Sequence, residues 1–234
     1  MNHKSVVFAV LVLLFVYKSN AQEQKEIKLE PFNNVKFEGS AQWVLVPSSE
    51  EKVVILSKSE DVFDYIDVNQ NGGTLVVSTT DKNKNITKLF KSVTIKVYFK
   101  SIESVFLSGV GSVNTEDKIV TSKFTATLKG TGDMNLDIEC SDFIGNMQGT
   151  GGLNVEGTAD NALVRVEGVG GFDGYELLCL NMDVTVSGVG GAKVYASKVL
   201  KATLNGVGSI KYKGNPETKN LDTNGIGSIK KIAD

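Results

Sequence analysis

Histidine is almost absent from this chain of 234 residues: the one copy is His3, and the one arginine is Arg165. Without a further imidazole, Ser-His-Asp and Cys-His nucleophilic catalysis and the common zinc sites are excluded in their usual form. A lone arginine leaves little to neutralise the carboxylates that acidic-sugar lyases act on. Basic charge is not in excess either, with 25 Lys and Arg against 27 Asp and Glu. A nucleic-acid binder needs a basic surface to offset phosphates, so that class is set aside. The uninterrupted apolar run at residues 6–17 falls short of the roughly 20 residues a membrane-spanning helix needs. It follows Lys4 and precedes Ser19-Asn20-Ala21, small residues at the −3 and −1 positions, so residues 1–21 read as a signal peptide cleaved after Ala21. No cysteine follows the run to carry a lipid. Cleavage removes Lys4, Lys18 and His3 and no acid, leaving 23 basic and 27 acidic residues and no histidine. The mature chain is expected in the periplasm, the outer envelope or the medium, with no membrane span.

Proline is scarce, at 3 residues, whereas glycine is abundant, at 24, and unevenly placed: only Gly39, Gly72 and Gly73 precede residue 100. The remainder mark an internal repeat. SGVGSV (108–113), KGTGDM (129–134), QGTGGL (148–153), EGVGGF (167–172), SGVGGA (187–192), NGVGSI (205–210) and NGIGSI (224–229) follow one another at intervals of 18 to 21 residues. The paired glycines are Gly109 and Gly111, Gly130 and Gly132, Gly149 and Gly151, Gly168 and Gly170, Gly188 and Gly190, Gly206 and Gly208, and Gly225 and Gly227. Each pair sits inside a period-2 pattern, the mark of a strand with one buried face. Phe124, Ala126 and Leu128 alternate with Thr125, Thr127 and Lys129, and the phase continues into Met134, Leu136 and Ile138. A unit of about 19 residues cannot bury such a face alone, but stacked copies can. The expected fold is therefore all-β: a parallel β-helix, or solenoid, with rungs of about 19 residues over 102–234.

Fourteen glycines within strands would cost on the order of 7–14 kcal/mol relative to alanine. The pattern therefore implies a tight corner, where Cβ atoms collide across a narrow interior or φ is positive. Between the glycines runs a second column: Val110, Thr131, Thr150, Val169, Val189, Val207 and Ile226. If alternation persists through the corner, this column faces outward as a contact stripe; if the corner reverses the phase, it is core. Five of seven members being Val or Ile favours the core.

Residues 22–101 lack the repeat but still read as β. Val35, Phe37, Gly39, Ala41, Trp43 and Leu45 alternate like a degenerate rung. Strand-like runs follow at 52–57, 74–79 and 92–99, with a turn at Asn71-Gly72-Gly73, a helical turn within 59–66 and a polar loop at 81–88. This region is expected to form an antiparallel β cap over one end of the solenoid, protecting its edge. Cap and solenoid are expected to make one structural unit over 22–234.

The signal peptide, the β-rich lead-in and the rows of SGVGSV, EGVGGF and NGIGSI resemble the head GIN domain family of auto-transporter adhesins, most of them exported proteins of Bacteroidetes. The resemblance spans roughly residues 32–232. It implies a β-helical solenoid with an adhesive or surface-binding role, and it carries no catalytic residues to transfer.

Other motifs reduce to structure. Gly168 to Gly174 lacks the following helix that a phosphate loop requires. Gly130-Thr131-Gly132-Asp133 lacks the nine-residue period and repeated Asp of calcium β-rolls. Asp133, Asp137, Glu139, Glu156, Glu167, Asp173 and Asp183 sit in outward phase rather than as the facing pair a glycosidase needs. Cys140 and Cys179 fall two rungs apart, ~9–10 Å, beyond disulfide reach, and read as buried free thiols. Trp43 and Tyr98 read as core rather than, with Phe63 and Tyr65, as a sugar platform. No cofactor, no metal and no enzymatic activity are expected. The leading function is an exported binding or adhesion module presenting polar ladders to an envelope or extracellular ligand, protein or glycan. A structural or self-assembling homo-oligomeric envelope protein is the alternative, and a carbohydrate-active enzyme ranks third.

Overall fold

A computed structural model describes residues 23–80 and 92–233. The expected signal peptide and the loop at 81–88 lie outside the described residues. Within them, twenty strands join into one hydrogen-bonded sheet that coils on itself as a parallel β-solenoid. The strand Lys123–Leu128 leads into a glycine corner, and Thr131–Met147 continues beyond it round the next face. Thr131–Met147 lies in register on Thr150–Val166, so that Thr131 meets Thr150, Gly132 meets Gly151 and Met134 meets Leu153. The second glycines form an unbroken column from Gly111 through Gly132, Gly151, Gly170, Gly190 and Gly208 to Gly227. Seven corners stacked at ~4.8 Å make a column of ~29 Å.

Alternation follows the sequence because each strand has one face turned inward. Phe124, Ala126, Leu128, Met134, Leu136 and Ile138 are buried, as are Leu200, Ala202 and Leu204 four rungs on. One apolar cluster runs from Phe32 to Tyr212, continuous through the cap and the repeats.

The glycine corner has a different cause from a thin waist. A Cβ on Gly188 would be driven into the carbonyl oxygen of Gly168, the equivalent residue of the preceding rung, and would stand 2.8 Å from the carbonyl carbon of Glu167. That same Gly168 oxygen accepts the N–H of Val189 at 3.1 Å. The obstacle therefore lies along the stack rather than across the interior, and it recurs from Gly130 on Gly109 to Gly225 on Gly206. The second glycine adds a conformational demand, φ being +142° at Gly190 and +149° at Gly208, where L side chains are strained.

Because the corner leaves the alternation intact, the column between the glycines faces solvent. Val110, Val169, Val189 and Val207 are about half exposed and Ile226 is 75% exposed. Thr131 and Thr150 are exposed with them. The expectation that their β-branched character places them in the core is overturned: an apolar residue here occupies an outward position.

The N-terminal region folds as an antiparallel cap, with one departure in order. Asn34–Glu38 and Ser40–Pro47 flank Gly39 as the degenerate rung, pairing in parallel with Ser104–Leu107 and Val110–Thr115. This rung is not terminal. Thr74–Thr79 and Thr94–Phe99 lie parallel to its other edge, so the chain builds this rung first and then the one beneath it. The antiparallel pairings begin beyond them: Ile66–Asn71 on Thr74–Thr79, Lys52–Ser57 on Thr94–Phe99, and Glu23–Lys28 on Lys52–Ser57. Positive φ at both Gly72 and Gly73 closes the hairpin between Asn71 and Thr74. Glu60–Tyr65 forms a 3-10 turn that Ser59 caps, its side chain accepting the Asp61 N–H. Among the described residues, no helix is long and apolar enough to cross a membrane.

Candidate binding surfaces

Parallel in-register stacking turns any residue type repeated at one rung position into a row of side chains ~4.8 Å apart. Five residues after their first glycines stand Asn114, Asn135 and Asn154; Asn135 Nδ2 donates to Asn114 Oδ1 and Asn154 Nδ2 to Asn135 Oδ1, both at 2.8 Å. The same column continues as Asp173, Lys193, Lys211 and Lys230. Lys193 Nζ donates to Asp173 at 2.7 Å, and that bond to the carboxylate raises the lysine's pKa. Both Lys193 and Lys213 lie over the Tyr175 ring, 5.6 and 5.0 Å from its centre. Burial raises the Tyr175 pKa, an effect that exceeds the opposing influence of Lys193. Beside the asparagine ladder lies a cleft of about 510 Å³, with Asp137, Glu156 and Tyr175 along its wall.

A second ladder runs on the strands that precede the corners. Asn161 donates to Asp142 at 3.0 Å and Asn181 donates to Asn161 at 2.9 Å. It borders a cleft of about 470 Å³ lined by the apolar Ile144 and Leu163, by the exposed Val199 that continues the ladder's file after Asn181, and by the Lys201–Asp183 pair at 3.0 Å. Polar groups in a row beside apolar side chains are the mix that ligand sites use to orient and to bind. Sequence reading saw polar ladders in general and missed these two. The signal was available, because Asn114, Asn135 and Asn154 share the offset of five from Gly109, Gly130 and Gly149.

The candidate carboxylates are distributed by the stack. Asp133, Asp137, Glu156 and Asp173 share the face after the corner, Asp137 in register with Glu156. Glu167 lies before the corner and accepts from Gln148, while Asp183 pairs with Lys201 and Glu139 with Lys118. Among the described residues, no three His, Cys, Asp or Glu side chains gather as a metal site.

Cys140 and Cys179 are free and buried, both in register with Ala159 between them, which puts them two rungs apart. Burial pushes the Cys140 thiol up to about 11, with Asp142 and Asp160 adding to it, and the Cys179 thiol to about 12. The Cys179 thiol donates to the Tyr195 carbonyl at 2.9 Å. Trp43 is fully buried, stacked on Phe37 at 4.7 Å. Tyr98 is not core: it takes the outward position between buried Val97 and Phe99, with Lys52 5.3 Å from its ring centre. Phe63 and Tyr65 pack partly buried against the core, so the four aromatics form no shared platform.

Comparison with known proteins follows the same lines. A 27% identical "putative adhesin" from Bacteroides fragilis superposes with a TM-score of 0.85, over 92% of this chain and 98% of that one. Two further solved structures share the fold. They are a "putative adhesin" from Parabacteroides merdae (TM-score 0.65, 19% identity, 90% and 96% covered) and a "putative lipid binding protein" from Parabacteroides distasonis (0.64, 24%, 90% and 96%). Among curated proteins none matches. The family model described as "Putative auto-transporter adhesin, head GIN domain" matches residues 31–216, and the chain belongs to that family.

Proposed function

We propose that this protein is an exported, non-catalytic binding module that holds an extended, hydroxyl-rich ligand, a glycan of the envelope or its surroundings, against the face bearing the Asp142–Asn161–Asn181 ladder. The observation that carries the reading is the pairing of this ladder with the neighbouring cleft of about 470 Å³. Amide and carboxylate groups repeat along the axis beside Ile144 and Leu163, so one polymer chain could meet hydrogen-bonding groups and apolar carbon together. Adhesin-named relatives favour a binding role over turnover. Each ladder amide keeps a second N–H that the rung before it does not use.

The test is a glycan and envelope-component array probed with the purified chain, followed by Asn161→Ala and Lys201→Ala. Binding that falls about tenfold or more in Asn161→Ala, with no product from the bound component, is the expected result. No binding across the array, unaltered binding in Asn161→Ala, or turnover would each refute the reading. Export is checked by the mass of secreted protein, which should correspond to a chain beginning at Gln22.

A further inference from the structure

The strands after the corners carry a charge order that polar ladders do not explain. Taking their outward positions along the stack, Asp133, Asp137, Glu156 and Asp173 come first, and no lysine or arginine interrupts them. Lys193, Lys211, Lys213 and Lys230 follow, and no acid interrupts those. One end of the face is therefore acidic and the other basic, with the change of sign between Val169–Gly174 and Val189–Tyr195. Alongside runs the exposed apolar column, Val169, Val189, Val207 and Ile226. Between the column and the charges lies a shallow trough floored by Gly152, Gly171 and Gly191, whose missing side chains leave a depression of about 340 Å³.

We infer that this face is the self-complementary surface of a homodimer, closed by a two-fold axis that runs along the strands between Val169–Gly174 and Val189–Tyr195. Such an axis turns the stack end for end and sets each rung against a defined rung of the second copy. Glu156 then opposes Lys213 of the second copy, Asp173 opposes Lys193, and Val169 opposes Val189. Each acidic half meets a basic half, and the glycine troughs meet at the axis, where the two backbones can approach closely. Isologous contacts of this kind are the commonest in soluble oligomers. Charge segregation along one face suits them, because opposite potentials meet only in the antiparallel arrangement and like charges meet in the parallel one. Six rungs at ~4.8 Å and seven residues at ~3.3 Å give about 670 Å² on each copy before side-chain relief is counted. The total of about 1,300 Å² lies near the lower edge of stable protein–protein interfaces. The face bearing the Asp142–Asn161–Asn181 ladder stays free on both copies.

Sedimentation of the purified chain across protein and salt concentration tests this. The expected result is a dimer that weakens as salt rises, since part of its stability is charge pairing. Glu156→Lys alone and Lys213→Glu alone should each weaken the dimer about tenfold or more, and the double variant should restore it. Glu156 and Lys213 lie three rungs apart within one chain, ~14 Å, so rescue cannot come from an ion pair inside the monomer. A monomer at every concentration would overturn the proposal, as would a dimer indifferent to both reversals or singles that the double variant does not rescue. A monomer whose Lys211 and Lys230 hold a polyanionic glycan would overturn it too, by assigning the basic half to a ligand. The readout is mass, so it is independent of whether the array finds a glycan for the other face.

Discussion

Replacing Gly188 with alanine isolates the physical cause of the repeat. No positive φ is needed at this residue, so the added methyl meets only the neighbouring rung. It would overlap the Gly168 carbonyl oxygen and stand 2.8 Å from the carbonyl carbon of Glu167, both backbone atoms with no rotamer to escape into. Relief requires the rungs to part where Gly188 N–H meets the Val166 oxygen at 3.1 Å and Val189 N–H meets the Gly168 oxygen at 3.1 Å. Weakening two such bonds costs ~1–3 kcal/mol, and the local overpacking adds ~1–3 kcal/mol. Against this stands a gain of ~0.4–1 kcal/mol from the stiffer unfolded chain. The net expectation is a loss of ~1–5 kcal/mol, or roughly 2–20 °C in Tm at about 2–4 °C per kcal/mol. Gly72→Ala is the control. Nothing lies within 4 Å of its Cβ and only φ of +55° opposes the change, so it should lose ~1–2 kcal/mol. Calorimetry of Gly188→Ala, Gly206→Ala and Gly72→Ala reads the difference. Unchanged or raised Tm in both corner variants would refute the carbonyl clash, because alanine at a strand glycine of ordinary φ with no obstructing neighbour gains stability.

Three further expectations concern other parts of the stack. Asn135→Ala removes one hydrogen bond to Asn114 and one from Asn154 at an exposed site, so urea unfolding should show a loss of only ~0.5–2 kcal/mol. The thiols make the fold alkali-sensitive. Both are neutral in folded and unfolded chain below pH 9, and above it the unfolded chain ionises first while Cys140 and Cys179 hold their protons to about 11 and 12. Stability should therefore fall with pH from about 9 towards 11–12 by up to ~1.4 kcal/mol per unit per thiol, and the decline should flatten in the Cys140→Ala/Cys179→Ala protein. The last described rung carries lysine where other rungs carry core residues, Lys219 beneath Leu200 and Lys231 beneath Tyr212. Both lysines stand exposed on strands that pair along one edge among the described residues, and charge at such an edge disfavours further pairing, so the Lys219→Leu/Lys231→Leu protein should form end-to-end assemblies visible by light scattering, where the parent does not.

The solenoid was legible because two signals coincide, a glycine pair near every nineteenth residue and strict alternation through it. What the alternation could not decide was the phase of Val169, Val189 and Val207. Composition pointed them inward, and only the position of the neighbouring carbonyl shows that the chain turns without reversing faces. Tyr98 was misplaced for a different reason: its aromatic character suggested core, although Ile95, Val97 and Phe99 alternate with Thr94 and Lys96 and so set Tyr98 in the outward phase. The order of the first rungs was not legible at all. Thr74–Thr79 and Thr94–Phe99 slip beneath a rung already made, and pairing between distant segments leaves no local mark in the sequence. Ladders and charge order were readable in principle. Aligning the repeats on their first glycine puts Asn114, Asn135, Asn154, Asp173, Lys193, Lys211 and Lys230 in one file, but reading along the chain never sets them side by side.

In-register stacking underlies the corners, the ladders and the dimer face alike, and spin-label distances measure it directly. Labels at Val110 and Val207 span five rungs and at Val110 and Ile226 six, giving ~24 Å and ~29 Å between the label-bearing backbone positions. With Cys140 and Cys179 replaced by alanine and labelled protein diluted in unlabelled, both distributions should be narrow and their centres should differ by about one rung. Broad distributions, or centres that fail to lengthen from the first pair to the second, would contradict the stack.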